Sequence, residues 1–249
     1  MIEDIEVAGR TAWFARPKEA ARGAEAVRGA EAVRGAVVVC HGGGGLGPHE
    51  RGVIERLAGL GYAAVAPDLF GDPAAVEARA LSDAGKPVPD ELRAKVMGTI
   101  RGLVAQPAEL RARVGAAIDH VRPHGRVAVI GYCFGGTAAL VAARGGADIA
   151  CAVSFHGGLA APEPATAIKA RVLACCGGAD PHCPPEQRVA FEAEMTAAKA
   201  DWQLHVYGGA LHAFTVRGSE RIPGCAYDER ADRRSWAAML ELLDETIQP

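Results

Sequence analysis

Arg126-Val127-Ala128-Val129-Ile130-Gly131-Tyr132-Cys133-Phe134-Gly135-Gly136 is the stretch that decides the fold. An apolar run from Val127 to Ile130, of the kind found in a strand buried on both faces, leads directly into G-x-C-x-G. That spacing is the cysteine form of the turn that lifts a nucleophile out of a strand and into a helix. The central residue of such a turn is held in a strained backbone conformation, so bulk two positions away on either side would clash. Glycines at 131 and 135 relieve the crowding, and Gly136 lets the following helix pack close. The Cys133 sulfur then stands at the sheet edge, near the positive end of a helix, which favours thiolate. Alone, the pattern also fits a buried structural cysteine, because G-x-C-x-G arises by chance in a glycine-rich chain.

Three other segments fit the first reading. Ala36-Val37-Val38-Val39-Cys40 is continuous apolar and ends in His41-Gly42-Gly43-Gly44-Gly45. The exposed amides of Gly42 and Gly43 are candidates for half of an oxyanion hole, with the Phe134 amide as the other half. A phosphate loop fails on detail, since no Lys-Ser/Thr follows and no G-x-G-x-x-G opens the next helix. Arg171-Val172-Leu173-Ala174-Cys175-Cys176 reads as a strand running into Gly177-Gly178-Ala179-Asp180-Pro181. Trp202-Gln203-Leu204-His205-Val206-Tyr207 runs into Gly208-Gly209-Ala210-Leu211-His212. Cys133, Asp180 and His212 thus follow in chain order, each just past a strand, which is the order and placement of the α/β-hydrolase triad.

These motifs carry a resemblance to the dienelactone hydrolase family, the Cys-His-Asp branch of the α/β-hydrolases. Gly61-Tyr62-Ala63-Ala64-Val65-Ala66-Pro67-Asp68-Leu69-Phe70-Gly71, Gly131 to Gly136 and Ser154-Phe155-His156-Gly157-Gly158 contribute to it. So do Tyr207-Gly208-Gly209-Ala210-Leu211-His212-Ala213-Phe214-Thr215, and Ala226-Tyr227 through Arg234-Ser235-Trp236. The likeness runs from about residue 35 to the C-terminus. It implies Cys133 as nucleophile, His212 as base and Asp180 as the residue that orients it. Two departures stand out. The best-known members carry a glutamate right after the residue matching His41, where it helps activate the cysteine; here that residue is Gly42. They also hold a substrate carboxylate with an arginine four residues after the catalytic histidine. Val216 occupies that position, and Arg217 follows it.

The chain has 249 residues and a formal net charge of −3, with 49% hydrophobic and 23% charged residues. These values suit one domain over residues 1–249; strand–helix alternation makes it α/β, a mainly parallel sheet with helices on both faces, and the resemblance implies the α/β-hydrolase fold. The net charge argues against nucleic acid or an anionic membrane as partner. No basic, apolar leader opens the sequence and no run reaches spanning length, so a cytoplasmic protein without a membrane partner is expected. Seven cysteines without framework spacing suit reduced thiols. Cys175, Cys176, His182 and Cys183 invite a zinc reading. Adjacent strand residues point to opposite faces, however, and there is no C-x-x-C, so no metal site and no cofactor are expected.

Strands are expected near 36–40, 62–66, 126–130, 149–154, 171–176 and 202–207, after two short N-terminal strands within 1–16. Helices are expected near 48–59, 107–121, 134–144, 184–199 and 231–247. In the last of these, Trp236, Met239, Leu240, Leu243 and Ile247 form one apolar stripe. Residues 22–36 hold a tandem Arg-Gly-Ala-Glu-Ala-Val repeat, too short for a solenoid and read as a surface loop. Between 71 and 105 the pattern loosens into short helical pieces that leave the sheet on the same edge as the site. This segment is either a partial cap or a plain surface excursion.

The resulting expectation is a cysteine-dependent hydrolase of small activated esters or lactones that works through an acyl-thioenzyme. The oxyanion donors would be Gly42, Gly43 and Phe134, and Phe155, His156, Phe214 and Arg217 would border the substrate. A thioesterase or general carboxylesterase is the enzymatic alternative. A degenerate hydrolase that binds a ligand, or senses redox state through Cys133, is the non-enzymatic one. The oligomeric state, monomer or homodimer, stays open at this level.

Overall fold

A computed structural model describes residues 1–17, 33–161, 165 and 168–247. The core of the 22–36 repeat lies outside these described residues. The strands are β1 (Ile2–Val7), β2 (Arg10–Ala15), β3 (Gly35–Cys40), β4 (Tyr62–Pro67), β5 (Val127–Tyr132), β6 (Cys151–Phe155), β7 (Arg171–Gly177) and β8 (Trp202–Tyr207). They form one eight-stranded sheet in the order β1-β2-β4-β3-β5-β6-β7-β8. The hairpin β1–β2 joins β4 antiparallel, and every pairing from β4 to β8 is parallel. This is the mainly parallel sheet expected from strand–helix alternation.

The pleat sorts the apolar runs into two cores. Val38 of β3, Val129 of β5, Ala152 of β6 and Ala174 of β7 face one side. There they meet α4 (Pro107–Val121), α5 (Phe134–Arg144) and α6 (Pro185–Ala197) through residues such as Leu110, Val114, Leu140 and Phe191. Their neighbours Val37, Val39, Ile130, Val153 and Leu173 face the other side. They pack on α1 (Pro48–Gly59) and α7 (Glu229–Ile247) through Ile54, Leu57, Met239 and Leu243. Central strands buried on both faces therefore show no period of two, which is why their sequences read as unbroken apolar runs. In α7, Met239, Leu243 and Ile247 are buried as the stripe predicts, with Leu242 beside them. Trp236 is half-buried, and the Arg56 guanidinium lies 3.6 Å above its ring.

Residues 71–105 form two helices, α2 (Pro73–Asp83) and α3 (Asp90–Val104), that pack on each other. Asp72 caps α2 by accepting the Ala74 N–H. Leu92, Val96 and Leu103 turn one face of α3 toward the core. The register of the central strands sets which loops become neighbours. Cys40 pairs with Gly131, and Tyr132 with Phe155. The glycine loop after β3, the turn after β5 and the segment after β6 therefore leave the sheet side by side.

Candidate active site

The turn after β5 carries Cys133 at φ 54°, ψ −116°, a left-handed conformation costly for any residue with a side chain, by about 1–3 kcal/mol. Two features hold it there. Close packing is one: a Cβ on Gly131 would lie 2.0 Å from the Gly135 carbonyl oxygen, and one on Gly135 would lie 2.1 Å from that of Cys40. No larger residue fits at either glycine without moving the turn. Hydrogen bonding is the other. The Cys133 N–H donates to the Phe155 carbonyl at 2.9 Å and to His156 Nδ1 at 3.1 Å, while the Cys133 carbonyl accepts from Thr137 N–H at 3.2 Å.

The histidine arrives from the loop after β8. His212 N–H donates to the Gly224 carbonyl at 3.1 Å, and Ala226 N–H returns to the His212 carbonyl at 3.1 Å. This short parallel bridge between His212 and Cys225 fixes the loop from behind. The His212 ring then lies between the other two groups. Its Nδ1 is 2.8 Å from Asp180 Oδ2 and its Nε2 is 3.1 Å from Cys133 Sγ. Asp180 is buried at the end of β7, and its second oxygen accepts the His182 N–H at 2.7 Å. The exposed His182 ring stands edge-on to His212, with centroids 4.7 Å apart.

The electrostatics follow from these contacts. Burial alone would push His212 down. The hydrogen bonds and negative charge of Asp180 and Cys133 outweigh it and raise His212 to about 10. Burial likewise acts to raise the Cys133 thiol. The His212 hydrogen bond and charge, with the Gly43 and Phe134 amides beside the sulfur, bring it below its ordinary value instead. Both shifts favour a thiolate–imidazolium pair at neutral pH.

Gly43 and Phe134 thus present their amides to the sulfur, but Gly42 does not. Its N–H points to Glu50 Oε1 at 3.3 Å, while Glu50 Oε2 accepts the Gly47 N–H at 3.1 Å. The donor pair facing the sulfur is therefore Gly43 and Phe134, and Gly42 leaves the expected set of three. Glu50, buried in the first turn of α1, fixes both ends of the glycine loop. His41 completes the support: its Nε2 accepts Leu69 N–H at 2.9 Å and its Nδ1–H donates to the Gly42 carbonyl at 2.8 Å.

Of the four residues expected to border the substrate, three are buried and one is exposed. Phe155 is 1% exposed and stacks on Tyr132, with the planes 8° apart. Phe214 is fully buried against His156 and Tyr207. His156, 1% exposed with φ 42°, is a brace behind the site. Burial, and then the His212 charge, hold it well below its ordinary pKa. The neutral ring accepts the Cys133 N–H at Nδ1 and donates from Nε2 to Thr215 Oγ1 at 2.8 Å, tying the elbow to the His212 loop. Arg217 is exposed and lies over the Tyr227 ring, 4.4 Å from its centroid.

Helices α2 and α3 bring groups near the glycine loop. Ile100 Cδ1 of α3 lies 3.3 Å from where a Gly43 Cβ would stand. The Arg79 guanidinium of α2 lies against Gly44 and Gly47 and is bound to Asp83, Nε to Oδ2 at 3.0 Å. Helical spacing places Arg79 and Ile100 on their helices, but only the packing of α2 and α3 shows that they reach the glycine loop. Among the described residues, no three His, Cys, Asp or Glu side chains gather as a metal ligand set, and no helix is long and apolar enough to cross a membrane.

Known proteins resemble this chain over most of its length. The sequence model of the dienelactone hydrolase family matches residues 24–247. Carboxymethylenebutenolidase 1 of Cupriavidus pinatubonensis is 31% identical over 209 residues, spanning 80% of this chain and 81% of that one. A solved structure named m3DLH superposes with a TM-score of 0.82 at 33% identity, covering 99% of this chain and 98% of its own. The crystal structure of a dienelactone hydrolase-like promiscuous phosphotriesterase from metagenomic libraries gives 0.78 at 33% identity over the same shares.

Proposed function

The chain belongs to the dienelactone hydrolase family, a hydrolase with that family's α/β-hydrolase fold, and from this premise we propose that it cleaves small activated esters or lactones through an acyl-thioenzyme on Cys133. The observation that carries the reading is the line from Cys133 Sγ to His212 Nε2, 3.1 Å, and from Nδ1 to Asp180 Oδ2, 2.8 Å. It has the nucleophile, base and orienting group in hydrogen-bond reach.

The chemistry starts from the pair at rest. The Cys133 thiolate attacks the carbonyl carbon, and the carbonyl π electrons move onto oxygen, where the Gly43 and Phe134 amides receive the charge. The intermediate collapses by expelling alkoxide, which takes the Nε2 proton of His212. The now neutral His212 draws a proton from water as water attacks the thioester. A second oxyanion collapses, the acid leaves, and the thiolate–imidazolium pair is restored. Asp180 holds Nδ1–H throughout. A thiolate leaves more readily than an amine anion or an unactivated alkoxide, so activated esters and enol lactones suit this nucleophile and amides do not.

Substrate choice is proposed from the cation positions. With Arg217 on Tyr227 and Arg79 on Asp83, neither guanidinium stands free to clamp a carboxylate. A substrate carboxylate is thus tolerated and not required. The α2–α3 segment acts as a partial cap whose Ile100 side offers apolar surface beside the oxyanion donors.

A panel of enol lactones, aryl esters, acyl-CoA compounds and an aryl phosphotriester, run on wild type and Cys133→Ala, tests the activity. Release of acid from the aryl ester and lactone, lost with Cys133, is expected. Acyl-CoA turnover above both would favour a thioesterase, and no release from any substrate would leave a binding protein. Comparing a carboxylate-bearing lactone with its methyl ester tests the anchor. A preference for the acid above about a hundredfold, roughly 2.7 kcal/mol, that vanished in Arg217→Ala would refute the neutral-substrate reading.

A further inference from the structure

Two thiols outside the catalytic line meet beneath the Asp180 loop. Cys176, on β7, and Cys183, just before α6, are seven residues apart in sequence, and their sulfurs lie 3.5 Å from each other. Both are buried, under the exposed residues Pro181 and His182. Cys175, the neighbour of Cys176, points to the opposite face, with its sulfur 3.7 Å from Tyr207 Oη, so the pairing is specific. The segment that the two thiols bracket is short and hydrogen-bonded to itself. Asp180 N–H donates to Gly177 O and Cys183 N–H to Asp180 O, each at 3.3 Å.

We propose that Cys176 and Cys183 are a redox-active dithiol, converted by peroxide-class oxidants to an intramolecular disulfide that shifts the loop carrying Asp180 and weakens its hold on His212. A disulfide needs sulfurs about 2.05 Å apart, so the pair must close by roughly 1.5 Å. Cys176 sits in a strand paired on both sides, with β6 and β8. The movement therefore falls on Cys183 and on residues 178–182. Cys183 lies in the loop next to the exposed Pro181 and His182, while Cys176 lies within β7, so Cys183 is the sulfur that meets the oxidant and attacks. By contrast, burial pushes Cys40 up to about 12 and Cys151 up to about 11, leaving both as inert core residues.

Atoms and electrons balance in two steps. Cys183 thiolate attacks one peroxide oxygen and the O–O bond breaks, giving Cys183 sulfenic acid and, after protonation of the departing oxygen, water. Cys176 sulfur then attacks the sulfenyl sulfur, the S–O bond breaks, and the hydroxide leaves with the Cys176 proton as a second water. Two thiols are oxidised and one peroxide is reduced. Cross-link formation does not depend on what the protein hydrolyses. Only its effect on turnover rests on Asp180 being the partner of His212 in catalysis.

Cross-link and coupling are tested separately. Cys133→Ala protein is treated with hydrogen peroxide, the remaining thiols are alkylated, and the tryptic peptide 172–188 is weighed. It should be lighter than the reduced peptide by two hydrogens and carry one alkyl group, on Cys175. Cys176→Ser in the same background should abolish this. Three alkylated cysteines after oxidation, or a bond through Cys175, would overturn the proposal. For turnover, protein with Cys133 intact is oxidised and then restored with dithiothreitol. The recoverable loss of ester hydrolysis should be several-fold greater in wild type than in Cys183→Ser. Equal losses would assign all of the sensitivity to Cys133 itself and overturn the coupling to Asp180, with the mapped disulfide judged on its own result.

Discussion

Asp180→Asn removes one charge and keeps the shape, and its effect can be worked from the site. His212 at about 10, against an ordinary value near 6.5, corresponds to roughly 5 kcal/mol in favour of the imidazolium, at about 1.4 kcal/mol per pH unit. Two buried partners outweigh burial to give that net value: Asp180 at 2.8 Å and the Cys133 sulfur at 3.1 Å. Assigning roughly half of the net to Asp180, loss of its charge costs the ion pair about 2–3 kcal/mol. The equilibrium constant for forming the pair then falls by roughly 30- to 150-fold, which moves the thiol titration up by about 1.5–2 pH units. The assay is the rate of Cys133 alkylation by iodoacetamide as a function of pH, which needs a thiolate but no oxyanion hole. In wild type the rate should rise well below the free-thiol value of about 8.5. In Asp180→Asn the rise should move toward that value by about 1.5–2 pH units, and the rate at pH 7 should drop. Ester hydrolysis should fall further, by about a thousandfold or more, since an amide also leaves His212 free to take the wrong tautomer. An unchanged alkylation profile would refute the ion pair and place activation at the moment of substrate binding.

Three other outcomes rest on the same contacts. Gly42→Glu should fold, since its Cβ would meet nothing nearer than the Tyr132 carbonyl at 3.5 Å and Cys133 Cβ at 3.7 Å. The new carboxylate beside the sulfur should slow iodoacetamide labelling at pH 7 by about tenfold, and an unaltered rate would show that the side chain points elsewhere. His156→Ala should lower kcat by about a hundredfold through a displaced elbow. His156→Asn, which keeps an acceptor for the Cys133 N–H and tolerates the positive φ, should recover part of that loss; equal losses in both variants would make His156 mere packing. In pH-dependent thermal unfolding, the raised His212 stabilises fully below about 6.5 and loses that contribution as pH climbs to about 10. The lowered Cys133 stabilises fully above about 8.5 and loses its contribution as pH falls. Where the lowered Cys133 titrates, below about 8.5, its slope opposes that of His212. The stability difference between wild type and the Cys133→Ala, His212→Ala double variant should therefore change least just below about pH 8.5 and shrink from there toward about pH 10. A decline equally steep on both sides of about pH 8.5 would contradict the coupled pair.

How much of the molecule was legible in the sequence depended on whether backbone position or side-chain direction was at stake. Strands buried on both faces announce themselves as apolar runs, and a site built at their carboxyl ends inherits its order from the chain. That is why Cys133, Asp180 and His212 could be placed together from spacing alone. Direction is another matter. Phe155 and His156 are adjacent at the end of one strand, yet one stacks in the core and the other, at φ 42°, turns back to bind the elbow. Gly42 and Gly43 are indistinguishable by composition, and only the Glu50 carboxylate, eight residues from Gly42, decides which amide is already taken. Arg217 stood one position from the place where a carboxylate clamp was expected, and its loop presents it to Tyr227 instead. Glu50 had a sequence signal in its place three residues after Gly47, the spacing of a helix-capping box. Cys176 and Cys183 had none beyond proximity, because contact between a strand residue and a loop residue depends on how that loop folds.

The acyl-thioenzyme on Cys133 is the intermediate on which the proposed mechanism stands, and it can be trapped. Wild-type protein is mixed with an excess of an aryl ester, quenched in acid within the first turnovers, digested and mapped by mass spectrometry. One acyl group is expected, on Cys133, accumulating with the burst of phenol, disappearing on further incubation and absent in Cys133→Ala. Phenol release at the wild-type rate with no acyl group on Cys133, or with the acyl group on another residue, would contradict the mechanism.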